Sequence, residues 1–79
     1  MEKGTVERIR NRVRMARLEK DLTQQKLADL IGVTRQTIGL IERERYNPTI
    51  ALCLKLSRVL KKDLGKLFWL EVKETDEER

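Results

Sequence analysis

The chain has no histidine in its 79 residues, and only one cysteine and one proline. A lone Cys53 cannot form an intramolecular disulfide. Without histidine or a CxxC pair, the usual ligand sets of a structural metal are missing. No metal and no cofactor are expected. No stretch approaches the roughly 18 consecutive apolar residues of a membrane-spanning helix. The start, Met1-Glu2-Lys3-Gly4-Thr5, lacks the apolar run of a signal peptide, so the default expectation is a cytoplasmic protein. The parts of an enzyme are missing too: no activated cysteine, no phosphate-binding loop, no paired carboxylates in a plausible cleft. The chain is also short for enclosing a substrate, and neither catalysis nor a small-molecule ligand is expected. A core of this size seldom contributes more than about 3–5 kcal/mol of net stability. With disulfide and metal excluded, oligomerisation is the remaining support, and a homodimer is expected.

What is present is charge and helical periodicity. The net charge is +5 with a pI near 9.7, and it is unevenly placed. The segment Glu71–Arg79 holds five acids and two bases, whereas the preceding seventy residues hold sixteen bases and eight acids. A basic body with a short acidic end fits a partner made of phosphate. A merely solvated, charge-rich surface fits as well, and charge alone does not choose between them.

Glycine and proline are scarce and the apolar residues recur at helical spacing, so the chain reads as all-α. A first helix contains Asn11–Lys20. Val6, Ile9, Val13 and Ala16 form one helical stripe, which favours a single long helix from Thr5, its N-cap. An extended arm before Asn11 is the rival. Thr23 caps a second helix, Gln24–Ile31, with Leu27, Ala28 and Ile31 inward. Gly32 stands where a helix end favours a left-handed residue. Thr34 caps a third helix, Arg35–Arg43, with Ile38 and Ile41 inward. So short a link forces a sharp crossing of two helices. Asn47-Pro48 closes a loop. Thr49 caps a fourth helix, Ile50–Leu60, apolar almost all round and so buried on several sides or at a subunit contact. Asp63 caps a short fifth, Leu64–Phe68. Leu70 and Val72 alternate with charges, a weak strand signal. Residues 74–79 read as a frayed, charged end. The expected organisation is a helical domain over 11–70, an N-terminal helix extension or arm over 1–10, and a charged tail over 71–79.

The run Thr23–Arg43 carries the pattern TQxxLAxxxGVTxxxIxxxE without gaps. It resembles the Xre family, the phage repressor and Cro type of helix-turn-helix regulator, and with its flanking helices the resemblance runs from about Asn11 to Leu70. It implies a five-helix lambda-repressor-like DNA-binding domain whose third helix enters the major groove of double-stranded DNA. Arg35 and Gln36 then face the base edges, where Arg suits guanine O6/N7 and Gln suits adenine N6/N7. Gln24 is implied to bond a phosphate. Thr34 and Thr37 add phosphate or base contacts, Thr34 also being a cap. Arg43, Arg45, Tyr46 and Asn47 form the loop beside the sugar-phosphate backbone, or simply a solvated basic loop. Arg17 and Glu42 match a structural ion pair that sets the angle of the reading helix.

The chain departs from the family at several points. Gly39 stands for a polar residue and lets a backbone or base approach. Leu40 replaces a polar residue and could meet a thymine methyl. Asp21 and Lys61 stand where glycines usually end helices one and four, so those helix ends could differ. Cys53 occupies a small core position and reads as a packed hydrophobe.

By resemblance, two copies bind two half-sites about 34 Å apart. The surplus apolar surface lies late in the chain, at Leu56, Val59, Leu60, Leu64, Leu67, Phe68, Trp69, Leu70 and Val72. A dimer contact through helix five and Phe68–Val72, with the terminal strands paired, is expected. The alternative is that Phe68 and Trp69 only close the monomer core. The expected function is a DNA-binding repressor. The competing reading is a protein-interaction or bridging module, or an antitoxin-type partner, with secondary DNA binding.

Overall fold

The computed structural model describes residues 4–75. The expectation of fraying at residues 76–79 lies outside them. The order of elements is β1 (Gly4–Asn11), α1 (Val13–Glu19), α2 (Gln24–Ile31), α3 (Arg35–Glu42), α4 (Ile50–Leu60), α5 (Leu64–Leu67) and β2 (Phe68–Thr75). The described fold is therefore five helices with a two-stranded antiparallel ribbon made from the two ends of the chain, and all-α is only approximate.

Three helices begin at threonines for one reason. Each threonine has extended backbone, and its Oγ1 accepts from the N–H three residues on, in the first turn of the helix. Lys26 donates to Thr23 at 3.0 Å, Thr37 to Thr34 at 3.2 Å and Leu52 to Thr49 at 3.2 Å. α2 ends at Gly32, whose φ of 80° places it in the left-handed region, and the turn Gly32–Thr34 leads straight into α3. Asp21 and Lys61 take φ of 56°. Both helix ends thus use the left-handed backbone that glycine favours, with side chains that are not glycine. Lys61 caps α4, its N–H donating to the Ser57 carbonyl.

The core consists of Val13, Ala16, Leu27, Ala28, Ile31, Ile38, Ile41, Leu56, Leu60 and Leu67. The inward faces of α2 and α3 are those anticipated. α4 is not buried on several sides: Cys53, Leu56 and Leu60 are inside, while Ile50 and Leu54 are 69% and 53% exposed. Leu56, Leu60 and Leu67, expected at a subunit contact, are wholly buried in this chain's own core. Val59 and Phe68 pack against it. Leu64 and Trp69 are half-buried, and Leu70 and Val72 are exposed.

The single long helix from Thr5 is not formed. Residues 4–11 are a strand whose partner is β2, in register Ile9↔Leu70, Arg10↔Trp69 and Asn11↔Phe68. β-branched side chains suit a strand, and Asn11 stops helical continuity by taking over the start of α1. Its Oδ1 accepts from the Val13 N–H at 3.0 Å, and the N–H between them, that of Arg12, donates to the Leu67 carbonyl at 2.9 Å. β2 is correspondingly committed to β1 of the same chain, so the strand expected to pair with a partner copy has one edge occupied. It also runs to Thr75, making the first part of the acidic tail a strand. The ribbon gives the molecule extents of 50 × 23 × 21 Å.

An isolated two-stranded ribbon is marginal in water. Here it is anchored at its base. Phe68 packs on the core, and the Arg12 guanidinium lies 4.5 Å over the Trp69 ring. Opposed residues share a face. One face therefore carries Ile9, Leu70 and Val72 with Glu7 opposite Val72, and the other Arg8, Arg10 and Glu71 with Trp69 opposite Arg10.

Candidate nucleic-acid interface

The first turns of α2 and α3 meet around a cleft of about 500 Å³, lined by Gln24, Thr34, Arg35, Gln36, Gly39 and Arg43. The short turn and the threonine caps Thr23 and Thr34 set how the two helix starts face each other. Arg35 and Gln36 are exposed at the first turn of α3, where the helix dipole adds positive potential. Thr34 and Thr37 hydroxyls bond each other at 3.0 Å, so both serve the cap. Leu40 is half-buried, while Arg43, Arg45, Tyr46 and Asn47 are exposed in the segment leaving α3.

The Gly39 Cα faces this cleft. A Cβ there would stand 3.6 Å from Arg43 Nη1 and 3.9 Å from Gln24 Nε2. These are ordinary contacts, so the glycine is not needed for space. The Arg43 guanidinium and the Gln24 amide both lie close to this position.

Behind the cleft is a saturated polar network. Arg17 donates from Nε to Glu42 Oε2 at 2.7 Å, from Nη2 to Glu42 Oε1 at 3.3 Å and from Nη1 to the Leu22 carbonyl at 2.8 Å. The two side chains are 9% and 3% exposed. Gln24 Nε2 donates to the same Glu42 Oε1 at 3.0 Å. Its amide has a second hydrogen, which remains available to an outside acceptor. One buried carboxylate thus holds the ends of α1, α2 and α3 together and orients Gln24 at the mouth of the cleft.

A second cluster at the far end of α3 has no signal in the local sequence. Glu44 lies between Arg43 and Arg45 at φ 62°. Its carboxylate accepts from Arg8 Nη2 at 2.9 Å, Arg10 Nε at 3.0 Å and the Asn11 N–H at 3.3 Å. The hydrogen bond from Arg8, and then those from Arg10 and Asn11, hold the carboxyl below its ordinary 4.5, against desolvation acting the other way. Arg10 is held above its ordinary range, chiefly by the hydrogen bond to Glu44. Arg10 also reaches Glu71 on β2 at 3.2 Å. An acid between two arginines was visible in the sequence, but its partners lie more than thirty positions away.

Burial pushes the Cys53 thiol up, away from the thiolate that redox chemistry needs. No group of three or more metal-ligating side chains occurs among the described residues.

The family model described as Helix-turn-helix matches residues 13–67. An uncharacterized HTH-type transcriptional regulator of Bacillus subtilis is 36% identical over 63 residues, covering 80% of this chain and 96% of that protein. One of Archaeoglobus fulgidus is 34% identical over 71 residues, covering 90% and 100%. Among solved structures, the restriction-modification controller protein C.AhdI of Aeromonas hydrophila superposes with a TM-score of 0.64 at 33% identity, covering 68% of this chain and 78% of that one. The clp gene regulator ClgR of Corynebacterium glutamicum, at 23% identity and a TM-score of 0.64 over 67% and 56%, shares the fold.

Proposed function

The chain belongs to the helix-turn-helix family of Cro/C1-type, or Xre, transcriptional regulators, and from that premise we propose a sequence-specific repressor that binds a two-fold operator as a homodimer. The observation that carries the base-reading part is the exposure of Arg35 and Gln36 at a capped helix start beside the cleft. Gln24 and Arg43 contact flanking phosphates, and Arg45, Tyr46 and Asn47 follow the backbone. Thr34 and Thr37 chiefly hold the start of α3. Repression follows from the simplest action of a bound domain, which is to occupy DNA that polymerase needs.

The test compares affinity for DNA upstream of its own gene with scrambled DNA at two salt concentrations. The expected preference is about 10³-fold or more. A preference near one, with a steep salt dependence, would move a bridging or interaction role ahead.

Dimerisation is supported by an apolar surface that keeps Leu64, Phe68, Trp69, Leu70 and Val72 from the sequence reading and adds Ile9, Pro48 and Ile50. The ribbon face bearing Ile9, Leu70 and Val72, which are 39%, 55% and 56% exposed, continues into Ile50 at the start of α4. Between them lies an apolar cleft of about 340 Å³ that includes Pro48, Leu64 and Phe68. A second copy is the occupant proposed, because a two-fold operator requires two chains and a self-complementary face joins them. Leu70→Asp with Val72→Asp places charge on exposed positions of this face. Sedimentation should then show a monomer with the helical body intact, and operator affinity should fall at least about tenfold through lost effective concentration. A wild-type chain that sediments as a monomer at micromolar concentration would refute the dimer.

A further inference from the structure

Glu44 is the residue at which the reading helix and the terminal ribbon are joined. Arg43 and Arg45 on either side are exposed, while Glu44 is turned inward with its side chain 16% exposed. Its φ of 62° is one that glycine adopts without steric cost, yet the position carries a carboxylate. The contacts explain the choice. Glu44 accepts from Arg8, Arg10 and the Asn11 N–H, all on β1, and Arg10 passes the link on to Glu71 on β2. Asn11 closes the joint from the other side, donating from Nδ2 to the Ile41 carbonyl of α3 at 2.9 Å. Both ribbon strands are thus tied to the carboxyl end of α3, through the Glu44 carboxylate and, beside it, the Asn11 amide.

We propose that Glu44 is a positioning residue that sets the angle between ribbon and reading helix, and so the spacing of half-sites the dimer accepts. This rests on the proposed reading of a dimeric DNA binder whose copies meet through the apolar ribbon face. Glu44 grips the opposite, charged face. An angle fixed there is carried to the partner's reading helix by the two-fold axis. The carboxylate touches no base in this scheme, and its effect falls on spacing rather than on base choice.

Two variants of the full chain test it from opposite sides. Glu44→Gly keeps a residue at ease with the backbone and removes the carboxylate. Arg8→Gln with Arg10→Gln keeps the carboxylate and removes its charged donors. Each is measured for solution mass, for binding to a duplex with one half-site, and for binding to duplexes whose two half-sites stand at different separations.

The wild type is expected to favour one separation by about tenfold or more, comparable to correcting one mismatched base pair. In both variants the mass and single-site affinity stay near wild type, and the preference among separations falls to within about threefold. Unchanged spacing preference in both variants would overturn the proposal. So would variants that both fail to fold, since the cluster would then be structural only. A wild type blind to sequence at every separation would refute the regulator reading itself, and this proposal with it.

Discussion

Arg17→Ala is expected to remove about 3–5 kcal/mol of folding stability, read from urea denaturation, because it leaves a buried carboxylate without its partner. For a chain of this length the whole stability is only about 4–12 kcal/mol, so the variant should lose at least about a quarter of it. The size of the effect comes from Glu42, whose side chain is 3% exposed. Without the guanidinium it keeps one hydrogen bond from Gln24, too little to hold a desolvated charge. The Leu22 carbonyl loses its donor in the same step. Replacing both members, Arg17→Met with Glu42→Leu, removes the uncompensated charge and should restore folding to within about 1–2 kcal/mol of wild type or better. That double variant separates stability from function. It folds, but Gln24 has lost the group that orients it and α3 the fork that aims it, so operator binding should remain weak. A loss below about 1 kcal/mol for Arg17→Ala would mean the pair behaves as a surface pair, and the framework role would fall.

How much of this was legible in the sequence follows from how far each interaction reaches along the chain. The boundaries of α2, α3 and α4 were open to reading because their signals are local. Thr23, Thr34 and Thr49 each accept a bond from three residues away, and Gly32 sits one residue past the end of α2. The ribbon was hidden because β1 pairs with a strand some sixty positions later. Locally, Ile9 and Val13 fall at helical spacing, and nothing in residues 4–11 reveals that Phe68–Thr75 supplies the hydrogen bonds. For α4 the sequence left two outcomes open, burial on several sides or a subunit contact. Its sequence is apolar on several sides, but the neighbours needed to cover Ile50 and Leu54 are not in the monomer. At the candidate interface the motif placed Gln24, Arg35, Gln36 and Arg43 in one region, and they line one cleft. Glu44 was passed over as one acid in a basic loop, since its importance comes entirely from β1. Asp21 and Lys61 show that side-chain identity is a weak guide to left-handed backbone: each is exposed and donates its N–H back to the preceding turn, at Leu18 and Ser57, with a residue other than glycine.

The second large effect is expected from Arg35→Ala combined with Gln36→Ala. Each well-formed bidentate contact to a base discriminates by about 1–3 kcal/mol. Losing both should cut the preference for operator over scrambled DNA by a factor of roughly 30 to 10⁴, at about 1.4 kcal/mol per tenfold. Folding should hardly change, because both side chains are exposed and neither caps the helix. The two losses are distinguishable in salt. Arg35 is a cation at the DNA surface whether or not it reads a base, so its removal should lower the slope of log affinity against log salt by about one on any sequence. Gln36 carries no charge, so Gln36→Ala alone should leave that slope intact while relaxing the choice of base. If instead the double variant weakens operator and scrambled DNA by the same factor, these residues contact phosphates only. The source of specificity would then have to be sought along the rest of the cleft, at Gln24 and Arg43, or in DNA shape read through the loop Arg43–Asn47.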